Sequence, residues 1–188
     1  MTARPVIELR GVPVLTTARL RLRAPRAQDF DAFAAYCASD RSRFTGGPQT
    51  REEAWRAFCH IVGHWALRGY GFFVAEMRDT GQAVGTFGPW FPEGWPEPEI
   101  GWSVWDDAGE GRGLAHEAAV ATRDFAREAL GWPTAISLID AANTRSQALA
   151  TRLGCVAEGP GTVMGKPCVI WRHPAPDAPG DGGMKACA

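Results

Sequence analysis

Residues 99–131 constrain the fold of this chain more than any other segment. Residues 99–105 have the residue types of a β-strand, and residues 114–130 have the apolar periodicity of a helix that Gly131 ends. Between them lies the glycine-rich turn 109–115, which reads Gly-Glu-Gly-Arg-Gly-Leu-Ala. A strand, a glycine loop and a helix in this order are typical of sites that bind an anion at a helix N-terminus.

The glycine loop predicts a phosphate site for a physical reason. The first turn of a helix leaves backbone N–H groups without partners, and the aligned peptide dipoles make that end positive. Gly111 and Gly113 have no Cβ, so a ligand can approach the backbone closely, and Arg112 adds a positive charge. The alternative is a tight turn in which the glycines serve only the backbone geometry.

Two familiar phosphate loops differ from this one. The Walker loop needs Gly-Lys followed by Ser or Thr, and the sequence has no such triplet. The dinucleotide loop needs an early βαβ unit and an acidic residue on the next strand. Asp140 could supply that acid, but the antiparallel strands predicted before the loop argue against a dinucleotide fold.

Period-2 and helical patterns divide the rest of the chain into short elements of both kinds. Thr50 and Glu53 form a capping box that begins the second helix, and Gly69 ends that helix. The predicted strands are 19–23, 70–77, 83–91, 99–105, 135–139 and two more near Cys155 and 169–172; the predicted helices are 28–39, 50–68, 114–130 and 143–153. This order predicts an α+β domain without an internal repeat.

Length and composition predict one domain and a short tail. The chain has 188 residues, which suits one domain, and we assign residues 1–173 to it. Residues 174–188 are rich in Pro, Gly and Asp and poor in apolar side chains, so we expect a disordered tail. Three prolines and a glycine also predict a loop over residues 92–98, which could overhang a site.

Charge and cysteine content exclude several classes of function. The 20 Lys and Arg residues nearly balance the 21 Asp and Glu residues, which argues against a nucleic acid or a membrane as partner. The five cysteines are scattered without a CxxC pair, so we expect free thiols in the cytoplasm and no metal site. We expect Cys155 and Cys168 to pack in the core, because no His lies near either in sequence.

Four blocks of sequence occur together in an order that resembles the GNAT acetyltransferases. They are residues 17–23 (Thr-Ala-Arg-Leu-Arg-Leu-Arg), 100–102 (Ile-Gly-Trp), 111–118 (Gly-Arg-Gly-Leu-Ala-His-Glu-Ala), and 143–146 (Asn-Thr-Arg-Ser) with Leu153-Gly154. The resemblance spans residues 15–174 and is strongest to the branch that includes the ribosomal-protein N-terminal acetyltransferases. It implies a GNAT-like fold in α/β/α layers, with a mixed, mostly antiparallel central sheet flanked by helices. It also implies an enzyme that moves acetyl from acetyl-CoA, its cosubstrate, to a primary amine in a ternary complex.

The resemblance also implies where the coenzyme lies. The strand before the loop would splay from its neighbour, so that Val104 and Trp105 line the pantetheine arm. The backbone of Gly111, Arg112, Gly113, Leu114 and Ala115 would bind the pyrophosphate. The family commonly has Gln or Arg where this chain has Glu110, so we expect that carboxylate either to point away from the phosphates or to weaken coenzyme binding.

Acetyl transfer needs a base to take the proton of the amine and an acid to protonate the leaving thiolate. Glu99 is the candidate base, or a carboxylate that attracts a cationic amine; the alternative is a solvated charge at the end of a strand. Many relatives place a tyrosine acid where this chain has Ala150. Ser146 is then the candidate acid and a coenzyme contact, with helix capping as its alternative role.

Asn143 also has two candidate roles: it contacts the pantetheine arm, or it is a helix N-cap. The acceptor stays open between a protein N-terminus and a small amine, and the assembly between a monomer and a homodimer. A coenzyme-A-binding module without catalysis is the main alternative function, suggested by Ala150 and Glu110. A nucleotide-binding oxidoreductase is a further alternative.

Overall fold

A computed structural model describes residues 9–107 and 110–175. The predicted tail, apart from its first two residues, and Gly109 of the glycine loop lie outside the described residues. The helices are α1 (Phe30–Ala38), α2 (Arg51–Arg68), α3 (Leu114–Glu128) and α4 (Thr144–Arg152), with short 3-10 helices at Ala27–Asp29 and Asp40–Phe44. The strands are β1 (Leu15–Thr16), β2 (Leu20–Arg23), β3 (Phe73–Met77), β4 (Ala83–Trp90), β5 (Glu99–Val104), β6 (Ile136–Ile139), β7 (Val156–Val163) and β8 (Lys166–Arg172).

The strands form one sheet in the order β1-β2-β3-β4-β5-β6-β8-β7. Every neighbouring pair is antiparallel except β5 and β6, which run parallel because α3 connects them as a crossover. This confirms the predicted α+β class and the mostly antiparallel sheet. The strand–loop–helix segment thus forms the βαβ unit at the centre of the sheet.

Alternation along the strands gives each face of the sheet its own core. Val74 packs with α1 and α2 on one face, in a cluster that includes Trp90 and Trp105. Its neighbours Phe73 and Ala75 point to the other face and pack with α3. α4 lies beside α3 over β6, where Leu149 and Ile139 belong to one buried cluster.

Local signals in the sequence account for most element boundaries. Thr50 and Glu53 form the predicted capping box, in which the Glu53 amide donates to Thr50 Oγ1 and the Thr50 amide donates to the Glu53 carboxylate. Gly69 ends α2 in the left-handed region at φ 77°. The two-residue strand β1 and the 3-10 helix Asp40–Phe44 were not predicted, because neither is long enough to show a period. No helix in residues 9–107 and 110–175 has both the length and the apolar character of a membrane span.

Candidate active site

β5 is paired unequally on its two sides. It runs antiparallel to β4 over six registered residue pairs, from Gly85 with Val104 to Trp90 with Glu99. Its parallel pairing with β6 is registered only between Glu99 and Ile136. The two strands therefore part just after Glu99, and a splay opens along the outer edge of β5.

The backbone groups that face this splay follow from the ladder. The amide of Trp105 donates to the carbonyl of Val84 at 2.9 Å, so Trp105 faces β4. Residues in an antiparallel pair alternate between those bonded to the partner strand and those turned the other way. Trp102 and Val104 accordingly turn their N–H and C=O groups toward the splay. These two residues form a strand edge that an extended ligand can pair with.

A cleft of about 640 Å³ runs along this edge. It is lined by β5, the glycine loop, the first turn of α3, the length of α4, Tyr36 of α1, and the connection between α1 and α2. Six residues with a predicted coenzyme contact line it: Val104, Gly111, Gly113, Ala115, Asn143 and Ser146. The structure thus brings together residues that are up to 42 positions apart, from 104 to 146, in sequence.

Trp105 and Leu114 differ from their neighbours because their side chains are in the core. Trp105 is 5% exposed and packs edge-on against Phe33, with ring centroids 5.7 Å apart. The prediction that Trp105 lines the arm is corrected by the alternation of β5, which puts Trp102 in the cleft instead. Leu114 as a whole residue is 1% exposed, and its side chain belongs to the core cluster that α3 forms with the sheet.

The glycine loop has the backbone conformation that its sequence predicts. Gly111 and Gly113 have φ values of 68° and 76°, in the left-handed region that favours glycine. Gly113 is the N-cap of α3. The amides of Leu114 and Ala115 lie in the first turn, where helix geometry supplies no internal partner. An ideal Cβ on Gly111 would meet no atom within 4 Å, so open space adjoins the loop.

Arg19 holds this loop from the edge of the sheet. Its Nη1 donates to the carbonyl of Arg112 at 2.7 Å, and its Nε donates to the Glu117 carboxylate at 2.7 Å. Thr17 Oγ1 also donates to Glu117, at 2.6 Å. The acidic side chain of the first turn is thereby neutralised, and the Arg112 carbonyl is directed to Arg19. Two of the four sequence blocks meet at this contact.

Glu110 lines the cleft and does not point away from it, so the other expectation, a weaker affinity for the coenzyme, stays a prediction. Its carboxylate pairs with Arg41, from the connection between α1 and α2, and with Arg145 Nη1 of α4 at 2.7 Å. Arg41 also pairs with Asp107. Two arginines therefore compensate the negative charge that Glu110 adds near the expected phosphate site.

Glu99 is buried at the closed end of the splay, with 8% of its surface exposed. Trp95 Nε1 donates to its Oε2 at 2.6 Å, and the amide of Leu138 donates to its Oε1 at 3.2 Å. Burial raises the pKa of Glu99 to about 7, against the opposing effect of the two hydrogen bonds. The alternative of a solvated strand-end charge is wrong. The proline-rich loop covers this carboxylate through Trp95.

The structure separates the two alternatives for Ser146 and Asn143. Asn143 is the N-cap of α4, and its Oδ1 accepts from the amide of Ser146 at 3.2 Å. Ser146 is therefore not the cap, and its hydroxyl accepts from Trp102 Nε1 at 3.2 Å. The neighbouring position Ala150, where a tyrosine acid would lie, is fully buried.

Sequence reasoning missed Tyr36, which lines the cleft from α1. Its hydroxyl and Thr45 Oγ1 are 2.7 Å apart, and burial raises the pKa of the phenol. The chain has only two tyrosines, which was the available signal. Tyr36 lay in a predicted amphipathic helix, and nothing in its neighbours indicated that the helix would face β5.

The three buried thiols, Cys37, Cys155 and Cys168, are not activated. Burial raises the pKa of Cys155 to about 12 and that of Cys37 to about 11. Burial also raises the pKa of Cys168, and both Cys155 and Cys168 lie in the core as predicted. Residues 9–107 and 110–175 contain no group of three or more His, Cys, Asp and Glu side chains that could hold a metal ion.

Comparison with known proteins agrees with this geometry. The profile of a family described as an acetyltransferase (GNAT) domain matches residues 19–156. The fold superimposes with a TM-score of 0.80 on an acetyltransferase from Agrobacterium tumefaciens strain C58 that is 34% identical, over 91% of this chain and 99% of that one. The chain therefore belongs to the GNAT acetyltransferase family.

Structures of ribosomal-protein acetyltransferases share the fold at lower identity. A ribosomal-protein-S5-alanine acetyltransferase from Vibrio fischeri is 18% identical with a TM-score of 0.66, over 88% of this chain and 98% of that one. A ribosomal L7/L12 alpha-N-protein acetyltransferase, solved in complex with coenzyme A, is 14% identical with a TM-score of 0.67, over 86% and 97%. These structures show the shared fold, and the family model and the Agrobacterium relative support an acyltransferase.

Proposed function

We propose that the protein is an N-acetyltransferase that moves acetyl from acetyl-CoA to a primary amine in a ternary complex. The observation that carries the proposal is the combination at β5 of an anion-binding loop, an unpaired strand edge and a buried carboxylate. Each suits one part of the reaction, and one strand with its following loop positions all three. Membership in the acetyltransferase family supports the same chemistry.

The residues present fit acetyl-CoA. The diphosphate would accept hydrogen bonds from the backbone amides of Leu114 and Ala115, at the positive end of a 15-residue helix. The pantetheine arm contains amides, which would pair with the N–H and C=O groups of Trp102 and Val104 as an added strand does. Arg41 and Arg145 supply positive charge beside the loop.

Glu99 is our candidate for the general base. The amine must lose a proton before or as its nitrogen attacks the thioester carbonyl, and a base works best with a pKa near the working pH. Burial brings the pKa of Glu99 to about 7, far above that of an ordinary carboxyl. The ionised form accepts the proton, so activity should rise as the pH increases through about 7.

Ser146 is our candidate for the acid that protonates the leaving thiolate. Its hydroxyl lines the cleft and is oriented by Trp102 Nε1, a side chain of the same strand edge that would hold the arm. Asn143 caps the N-terminus of α4, so the Ser146 hydroxyl is not needed as the cap. Tyr36 offers a second hydroxyl on the α1 side of the cleft.

The acceptor is a protein N-terminus or a small amine. The loop over Glu99 combines an aromatic side chain, Trp95, with two acids, Glu93 and Glu97. The Glu93 side chain is 99% exposed and pairs with Arg68 at 3.4 Å, and Glu97 pairs with Arg172 at 2.6 Å. An aromatic and acidic rim attracts a cationic amine, which Glu99 would then deprotonate.

Thiol release from acetyl-CoA, measured with a panel of amines and N-terminal peptides, tests the proposal. We expect turnover with at least one primary amine and an acetylated product confirmed by mass. Tertiary amines of similar size, which cannot form a stable amide, serve as matched controls. Tight coenzyme A binding without turnover for any acceptor would contradict transfer.

That last outcome would favour a coenzyme-A-binding module without catalysis. The observation behind this second candidate is Ala150, a buried methyl where many relatives have a tyrosine acid. The dinucleotide alternative makes a different prediction, a larger rise in melting temperature with NAD or NADP than with coenzyme A. We expect the larger rise with coenzyme A.

A further inference from the structure

Two side chains replace a missing backbone bond at the point where β5 and β6 part. The amide of Ile136 donates to the carbonyl of Pro98 at 2.9 Å, as in a regular parallel ladder. The next bond from β6 to β5 would join the Leu138 amide to the Ile100 carbonyl. Instead, the Leu138 amide donates to Glu99 Oε1 at 3.2 Å, and the Ile100 carbonyl accepts from Ser137 Oγ at 2.7 Å.

Both halves of the missing bond are therefore satisfied, and each by a different side chain. A buried backbone group without a partner destabilises the fold, so this exchange lets the strands separate without that penalty. Ser137 is 2% exposed and Glu99 is 8% exposed, so water does not readily substitute for either. The strands therefore part at a point where every group of the missing bond is hydrogen-bonded, and not at a frayed strand end.

His173 fixes the direction of the serine hydroxyl. Its Nε2 is 3.0 Å from Ser137 Oγ, and Ser137 has one proton, which goes to Ile100. The network therefore assigns the Nε2 proton to His173, which donates to Ser137. His173 is buried, and desolvation lowers its pKa to about 3, so the ring stays neutral and this arrangement holds at neutral pH.

We infer that Ser137 is the positioning residue for the Glu99 carboxylate. The Ser137 hydroxyl donates to the Ile100 carbonyl and so occupies the acceptor that the Leu138 amide would otherwise use. The Leu138 amide is then available to donate to Glu99. The inference rests on the base role proposed above for Glu99. Ser137 lies on β6 and would contact neither the coenzyme nor the amine, but it would position the Glu99 carboxylate that takes the proton.

Removal of the hydroxyl should let the ladder close by one bond. The Ile100 carbonyl would become available, and the Leu138 amide would turn to it and leave Glu99. The hydrogen bond from Leu138 stabilises the charged carboxylate, so its loss raises the pKa of Glu99 further. The acid limb of the pH profile would then move to higher pH, and kcat would fall about tenfold, the change expected for one hydrogen bond to a charged group.

The experiment compares Ser137→Ala with Ser137→Thr, which keeps the hydroxyl and suits a strand. Thr122→Val is the matched control, because Thr122 is also fully buried but donates only within α3, to the Ala119 carbonyl. For each variant, kcat, KM for acetyl-CoA, the pH profile of kcat/KM and the melting temperature are measured. We expect the fall and the pH shift in Ser137→Ala, recovery in Ser137→Thr, and a wild-type profile in Thr122→Val.

A wild-type kcat and pH limb in Ser137→Ala would overturn the inference, whatever the melting temperature does, since a purely structural hydroxyl changes stability alone. If Ser137→Ala does not fold, Ser137→Cys, of similar volume and with a weak donor, is read against Ser137→Thr by the same criteria. Glu99→Gln separates the two levels of the proposal. An inactive Glu99→Gln with a normal Ser137→Ala removes only the role of Ser137, whereas a fully active Glu99→Gln removes the role of Glu99.

Discussion

The two ends of β5 provide opposite environments, a buried one at its start and a solvent-open one beyond its end. At its start, Glu99 is enclosed by Trp95 and β6, and its charge is held by only two hydrogen bonds. Past its end, the loop at Gly111 and Gly113 is open, and the positive field comes from backbone amides with arginines nearby. Burial raises a pKa at one end, and exposure leaves an anion site accessible at the other.

This difference separates chemistry from binding. A base needs a dry place, because desolvation moves its pKa toward neutrality. A phosphate site needs reachable donors, because a charged ligand has to exchange water for amides. Changes at Glu99 should therefore act on kcat, whereas changes at the glycine loop should act on the affinity for the coenzyme. The following four variants test this division, beginning with the largest expected effect.

Glu99→Gln should lower kcat by about a thousandfold, within the usual range for loss of a general base. The affinity for coenzyme A, measured by calorimetry, should stay within about twofold, because the carboxylate lies outside the cleft lining. The wild-type rise in kcat/KM through about pH 7 should disappear in the variant. Glu52→Gln, an exposed acid in the first turn of α2, is the control. A lost affinity with an unchanged kcat would reverse the division.

Gly113→Asp should weaken coenzyme A binding by more than about a hundredfold, or about 3 kcal/mol, because it puts a carboxylate beside the diphosphate. Gly131→Asp is the matched control, since Gly131 has a similar φ of 68° but follows α3 at its far end. Both variants carry the same backbone strain, so only the first should lose affinity. Equal affinity in two folded variants would remove the loop from the site.

Ser146→Ala should lower kcat about tenfold and leave the affinity for coenzyme A almost unchanged, as expected for one lost hydrogen bond in the transition state. Tyr36→Phe removes a hydroxyl on the α1 side of the cleft and is the direct comparison. If Tyr36→Phe has the larger effect on kcat, the acid lies on the α1 side, and the assignment to Ser146 is wrong. Single-turnover rates with a saturating amine give the cleanest measurement.

Glu110→Gln should strengthen coenzyme A binding about threefold at low salt. The variant lacks the carboxylate that pairs with Arg41 and Arg145, so both guanidinium groups can attract the phosphates. The gain should shrink at high salt. Asp31→Asn removes an exposed partner of Arg51 far from the cleft and should change nothing. Weaker binding in Glu110→Gln would mean that this carboxylate orients the two arginines for the ligand.

Periodicity and capping signals in the sequence were enough to predict the sheet, the four long helices and the glycine loop. Gly69 ends α2 in the left-handed conformation that is common at helix C-termini, and Gly113 immediately precedes α3; such signals are local. β7 was underestimated because Gly159, Pro160 and Gly161 interrupt its strand pattern, yet an edge strand with one open side accepts them.

The site was harder to predict than the fold because its geometry depends on pairs that are distant in sequence. Trp105 was chosen in place of Trp102, since the sequence gives the alternation of β5 but not which residues face β4. Glu110 pairs with two arginines, Arg41 and Arg145, which come from elements on two sides of the cleft. Ser137 carries no motif at all, and its role follows only from the ladder bond that it replaces.

A crystal structure of the protein with bound coenzyme A tests the central claim most directly. The account predicts the diphosphate on the amides of Leu114 and Ala115, and the pantetheine arm paired with Trp102 and Val104 along the splay. Phosphates bound elsewhere, or an arm that leaves the edge of β5 unpaired, would contradict it.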